Sequence, residues 1–177
     1  MNGSRQLGRS ARGAAHGGRG FTLIELLVTI FIAAILLAIA VPNFNDAVLG
    51  ARLSAQANNL LASVQLARSE AIKRNTATTL CQSSDGATCT NSGGWEQGWV
   101  VLTGTTVLQH QQALPTGLKV TQTGGTSSLS FQPIGVGATA ATFTVCRSSP
   151  VGKQERVVTV SATGVAYVTR TTAGACS

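Results

Sequence analysis

Three groups of residues in this chain could do chemistry. The first is the peptide bond between Gly20 and Phe21, where a basic, glycine-rich head meets an apolar run. A secretory signal carries its small-residue cleavage site after the apolar part. Here the small residue comes first, so a cut at Gly20/Phe21 would discard Met1 to Gly20, keep the apolar run and create an amine on Phe21. The second is Glu25, the single charge between Phe21 and Val41. A carboxylate in a lipid-spanning helix costs on the order of a few kcal/mol unless it is paired, which marks it as functional and asks for a partner. The new amine on Phe21 is the natural one, and a helix start favours an anion through its macrodipole. The alternative is an acid tolerated at the membrane interface near the end of a plain anchor. The third group is Cys81, Cys89, Cys146 and Cys176.

Four cysteines allow three disulfide pairings. Cys81 with Cys89 and Cys146 with Cys176 is preferred, because each pair closes a turn-rich loop without crossing the other. A zinc site is the rival, but C-x-x-C is absent and His110 is the one histidine beyond the head. No metal or cofactor is expected. Hydrolytic chemistry would need a histidine oriented by an acid beside a nucleophile, and His110 stands in a glutamine run without a nucleophile elbow. Gly152-Lys153 lacks the upstream glycine and the following Ser or Thr of a phosphate loop. The few acids are scattered, so the chain reads as something other than an enzyme.

The elements that position these residues follow from the pattern around them. Phe21 to Val41 would make about 31 Å of helix at 1.5 Å per residue, enough to cross a hydrocarbon core of roughly 30 Å. Arg5, Arg9, Arg12 and Arg19 precede it and none lies within it, which places the head in the cytoplasm and the remainder across the membrane. That remainder is periplasmic in a Gram-negative cell, a compartment that permits disulfides. The net charge of +7 falls once the head is removed, leaving nine Lys and Arg against six acids. Beyond Pro42, Leu53, Ala57, Leu60, Val64, Ala67 and Ala71 recur at helical spacing, with Arg52, Gln56, Asn59, Ser63, Glu70 and Arg74 off the stripe. The helix is therefore expected to continue to about Arg74 and lay this stripe on a sheet, with Pro42 bending it.

From Asn75 the composition turns to Thr, Ser, Gly and Val in short runs parted by turn residues, the mark of a β-rich domain. Strands are expected near Ala77–Gln82, Gly98–Leu102, Val107–Ala113, Leu118–Gln122, Ser128–Gln132, Thr142–Cys146, Arg156–Ser161 and Ala166–Thr169, with turns at Ser83–Gly86 and Thr163–Gly164. Trp95, Trp99, Phe131 and Phe143 are assigned to the core. The organisation is then a head at 1–20, a membrane helix at 21–41, its amphipathic continuation at 42–74 and one globular domain at 75–177.

The run Arg19-Gly20-Phe21-Thr22-Leu23-Ile24-Glu25 resembles the class III signal of type IV pilins and type II secretion pseudopilins. That resemblance implies a prepilin peptidase that cuts after Gly20 and methylates the amine of Phe21, and a Glu25 that pairs with a neighbouring subunit in a fibre. Further on, Trp95 to Val101, Leu129 to Gly135, Phe143 to Cys146 and Val157 to Ser161 with Gly164 resemble the GspH/FimT family. The implied fold is α+β, a long N-terminal helix packed on a small antiparallel β-sandwich. The implied function is a minor pilin of a type IV pilus that primes assembly or sits at the tip, beside other minor pilins and the major pilin. The alternatives are a GspH-like pseudopilin of a type II secretion system and a pilus-tip DNA-binding subunit. Some DNA-binding members carry a glycine-arginine-any-arginine motif in the last hairpin, where this chain reads Gly164-Val165-Ala166-Tyr167. Arg147, Lys153, Arg156 and Arg170 remain as candidate phosphate contacts, and DNA binding is expected to be weak and without sequence preference.

Overall fold

The computed structural model describes residues 20–135, 138–148, 151–173 and 176, without the side chains of 42, 43 and 151–153. The head before Gly20 and the side chain of Lys153 lie outside the described residues, and the bend expected at Pro42 falls on the boundary between the two units given below. One helix, α1 (Leu23–Arg74), is followed by eight strands. The chain divides into two compact units, Met1–Pro42 and Asn43–Ser177.

In the first unit the helix begins where its sequence provides a cap. The Glu25 N–H donates to Thr22 Oγ1 at 3.3 Å and the Leu26 N–H donates to the Thr22 carbonyl at 3.1 Å. Thr22 is thus the N-cap and Glu25 the third helical residue, the threonine-x-x-glutamate spacing of a capping box. Beyond it the large apolar side chains are exposed, Leu23 at 82% and Phe31 at 64%. This stretch is long and apolar enough to cross a membrane, and none of it is buried against the chain itself.

In the second unit the end of the helix is closed by Asn75, whose φ of 50° is the left-handed conformation that asparagine tolerates. The Asn75 N–H reaches the Ile72 carbonyl and the Thr76 N–H reaches the Ala71 carbonyl, the paired bonds of a Schellman ending. Glu70 holds Lys73 at 2.9 Å and Arg74 at 2.6 Å in the last turn, where cations also suit the helix dipole.

The strands are β1 (Thr78–Gln82), β2 (Trp99–Thr103), β3 (Thr106–Gln111), β4 (Leu118–Gln122), β5 (Ser128–Phe131), β6 (Ala141–Ser148), β7 (Val151–Val160) and β8 (Ala166–Thr171), with a 3-10 turn at Trp95–Gln97. They form two four-stranded antiparallel sheets, ordered β3-β2-β1-β5 and β4-β6-β7-β8. The fold class is α+β, as the pattern implied.

One core joins the three layers. Leu53, Ala57, Leu60, Val64, Ala67 and Ala71 are all fully buried, in a cluster with Leu80, Val101, Leu129 and Phe131 of the first sheet and Val120, Phe143, Val145, Val158 and Val160 of the second. The alanines matter here, since a short side chain lets strands approach the helix closely. Trp95 meets Phe143 edge to face at 4.8 Å between centroids and donates its indole N–H to the Thr126 carbonyl. Trp99 donates to Ser63 Oγ at 2.9 Å, and Ser63 in turn donates to the Asn59 carbonyl within the helix. The Trp99 bond spans 36 residues and pins helix to sheet at one register.

The outer face of each sheet carries one disulfide. Cys81 alternates with the core residue Leu80 and is joined to Cys89 with Cα atoms 5.5 Å apart, beside a small buried cluster with Val100 and Leu102. Cys146 alternates with Val145 in the same way and is joined to Cys176 with Cα atoms 5.9 Å apart. On this face Glu155 pairs across the strands with Cys146, is fully buried, and accepts from Thr171 Oγ1 at 2.9 Å and the Ala173 N–H at 3.2 Å.

Candidate functional site

The residues singled out in the sequence fall into three places. At the start of the first unit Gly20 and Phe21 are exposed and precede the helix. Among the described residues a Cβ built on Gly20 would meet nothing within 4 Å, so their packing does not require glycine there. A cut after Gly20 would leave the new terminus one residue before the N-cap, with Glu25 in the same first turn. The Glu25 side chain is exposed, and among the described residues no cation pairs with it. A carboxylate with no cation beside it among the described residues, on a stretch otherwise free of charge, needs a cationic partner once water is removed, whether its own new terminal amine or one from a neighbour.

The second place is the end of the second unit where residues 45–54 pass over β6 and β7. Arg156 faces the helix from β7 and is 4% exposed. Its Nε donates to Ser54 Oγ at 3.0 Å, one terminal nitrogen to the Gly50 carbonyl at 3.3 Å and the other to the Glu155 carbonyl at 2.8 Å. Every acceptor is neutral. Burial, and secondarily the charge of Arg170 directly across on β8, pushes the guanidinium below the usual arginine range. Arg147 lies on the other flank of the helix, in a cleft that Arg52 also lines, and its buried Nε has no hydrogen-bond partner among the described residues.

Of the four candidate phosphate contacts, Arg156 and Arg170 are thus brought together, Arg147 is parted from them by the helix, and the side chain of Lys153 is outside the described residues. Val165 and Tyr167, which stand where arginines were looked for, are exposed apolar side chains. The third group is the four cysteines, joined as Cys81–Cys89 and Cys146–Cys176, one pair at the outer face of each sheet. Among the described residues no three His, Cys, Asp or Glu side chains converge on a point.

Sequence reasoning missed the role of Thr22, though the threonine-x-x-glutamate spacing was there to find it. It also missed Arg52 as a partner of Arg147. Their separation of 95 positions leaves no local pattern, and only the packing of the helix over β6 pairs them.

Comparison with known families and structures agrees with this geometry. Residues 56–164 match the model of the type II transport protein GspH, and residues 17–41 match the prokaryotic N-terminal methylation motif. Among solved structures the chain is similar to the type IV minor pilin FimU of Pseudomonas aeruginosa, at 22% identity and a TM-score of 0.53, over 66% of this chain and 92% of that one. It is also similar to the minor pseudopilin EpsH from the type 2 secretion system of Vibrio cholerae, at 15% identity and a TM-score of 0.51, over 67% of this chain and 96% of that one. At these identities the likeness is one of fold. A search of curated proteins finds no match. With the family model covering well over half of its length, the chain belongs to the GspH family of pilin and pseudopilin subunits, a structural class and not one of enzymes.

Proposed function

We infer that the chain is a minor pilin of a type IV pilus, cut between Gly20 and Phe21 by a prepilin peptidase and methylated on the new amine. It then stands in the inner membrane as a single-pass protein with the domain from Asn75 in the periplasm, and enters the fibre beside other minor pilins and the major pilin. The observation that carries this is Glu25: exposed, without an ion pair among the described residues, on an uncharged helix whose cap fixes it in the first turn. Apolar helices supply attraction without register, and a carboxylate that meets a neighbour's amine in the fibre supplies the register. The space around Gly20 supports recognition by an outside enzyme, since among the described residues nothing lies within 4 Å of a Cβ built there.

The same helix and acid serve a second reading, a minor pseudopilin of a type II secretion system, which the description of the matching family favours. A single experiment tests the shared core. Full-length protein is produced with and without a prepilin peptidase, fibres are isolated, and intact mass and N-terminal fragments are measured. The expected species begins at methylated Phe21, and Glu25→Val gives a processed, membrane-bound protein that is depleted from fibres. Retention of Met1 to Gly20 in fibres, or normal incorporation of Glu25→Val, overturns the proposal. Loss of pili against loss of secretion in a deletion strain separates the two readings.

A further inference from the structure

We propose that two arginine-lined clefts, one on each flank of residues 45–54, bind the phosphate groups of anionic lipid headgroups. One cleft, of about 490 Å³, lies between the helix and β7–β8 and is lined by Arg156, Arg170 and Ser54. The other, of about 380 Å³, lies between the helix and the segment before β4 and is lined by Arg52 and Arg147. Four guanidinium groups thus surround ten residues of helix, and among the described residues none of them has a carboxylate within ion-pair distance.

Two of the four are held in a way that calls for an anion. Arg156 is almost wholly buried yet has only carbonyl and hydroxyl acceptors, and Arg170 stands directly opposite it as a like charge. Arg147 has a buried Nε that meets no acceptor among the described residues. An unpaired buried donor or charge is costly, and an oxyanion seated between the two arginines of either cleft removes that cost with charge-assisted bonds. Asp46, at the lip of the first cleft, is the one acid lining either of them and makes no ion pair with its arginines.

Chain connectivity selects the lipid as the source of the phosphate. Asn45 follows Val41, the last residue of the apolar run, by four positions, so even a fully extended chain keeps it within about 14 Å. This step rests on the reading that residues 21–41 lie in a membrane, and it holds for a pilus or a secretion system alike. Nucleic acid fits less well: the helix separates the clefts, and neither is lined by an aromatic side chain on which a base could stack.

The test uses the full chain in a neutral maltoside detergent. Native mass spectrometry counts retained phosphatidylglycerol and phosphatidylcholine, for the wild type and for Arg52→Glu and Arg170→Glu, both at exposed positions. Selective retention of phosphatidylglycerol is expected, falling by about fivefold for each unit of positive charge removed, while Asp46→Asn raises it. Circular dichroism checks the fold of each variant, and Arg→Gln replaces any variant that fails. Equal retention of the two lipids, or selectivity unchanged in both variants, overturns the proposal. Full displacement by inorganic phosphate assigns the clefts to free oxyanions, displacement by a short DNA duplex assigns them to nucleic acid, and either result overturns the lipid assignment. Carbonate extraction of membranes reports insertion separately, so failure of the membrane reading is distinguishable from failure of the clefts.

Discussion

Removing the tether at Cys146–Cys176 is expected to destabilise the second unit more than removing that at Cys81–Cys89, and the structure gives the margin. The first closes a loop of 30 positions and the second a loop of 8. The chain-entropy relation assigns about 3.6 kcal/mol to the longer loop and about 2.5 kcal/mol to the shorter. The margin widens because of what the longer loop holds in place. Residues 171–173 supply two donors to the buried Glu155 carboxylate, and a strap released at Cys176 frays toward them. Hydrogen bonds to a charged group are worth about 1.5 to 3 kcal/mol each when lost outright. For a unit of this size, about 3 to 4 °C of melting temperature corresponds to each kcal/mol. The paired Cys146→Ala/Cys176→Ala variant of a fragment beginning at Asn43 should then melt about 10 to 15 °C low, and the Cys81→Ala/Cys89→Ala variant about 7 to 10 °C low. Thermal melts by circular dichroism measure both. Thr171→Val, added to each background, should cost less where the strap is already free than where it is tethered. An equal or reversed order of the two pairs, or a Thr171→Val cost indifferent to the tether, refutes the reasoning.

Three further outcomes follow from single contacts. Ser63→Ala leaves the indole N–H of Trp99 buried without its acceptor, and a loss of about 1 to 3 kcal/mol in urea unfolding is expected. Gly98→Ala forces a residue at φ 117° and brings a Cβ within 2.5 Å of the Gln111 carbonyl, so it should be destabilised by at least about 1 to 3 kcal/mol or fail to accumulate as soluble protein. Lys73, and then Arg74, hold the Glu70 carboxyl below the ordinary glutamate range. A carboxyl whose folded pKa is depressed contributes stability above its unfolded pKa and loses it as pH falls through the folded one. The advantage of wild type over Glu70→Gln, measured by chemical denaturation, should therefore be present at neutral pH and shrink below the ordinary glutamate range.

The helix was legible because burial imposes a period: the stripe from Leu53 to Ala71 shows the 3.6-residue spacing that a core face demands. The strands were legible for the same reason, and all eight lie where alternation and turn residues placed them. Most boundaries differ by one or two residues, among them β3, expected to reach Ala113 and ending at Gln111, and the largest difference is in the β6–β7 hairpin, expected at Thr142–Cys146 and Arg156–Ser161 and running Ala141–Ser148 and Val151–Val160. Arg147, Ser148, Gly152 and Lys153 carry no strand propensity, and pairing between the two strands extends the hairpin in spite of them. The short 3-10 turn at Trp95–Gln97 has no periodic signal either. Arg147 and Arg156 are near in sequence and both on the helix-facing side of the second sheet, yet the helix passes between them. That partition is a property of packing, which no linear spacing encodes.

The cap at Thr22 has a consequence for how a subunit changes its surroundings. On the proposed processing, the new amine of Phe21 stands one residue before the cap and the carboxylate of Glu25 in the first turn, so this end of the helix carries one charge of each sign. A lone subunit in lipid can then neutralise itself, and a subunit in a fibre can exchange the same two charges with its neighbours. Passage from one to the other swaps partners of equal kind and strands neither charge in hydrocarbon. On that proposal the helix terminus would act as a reversible coupling, closed on itself while waiting and open to a neighbour on assembly.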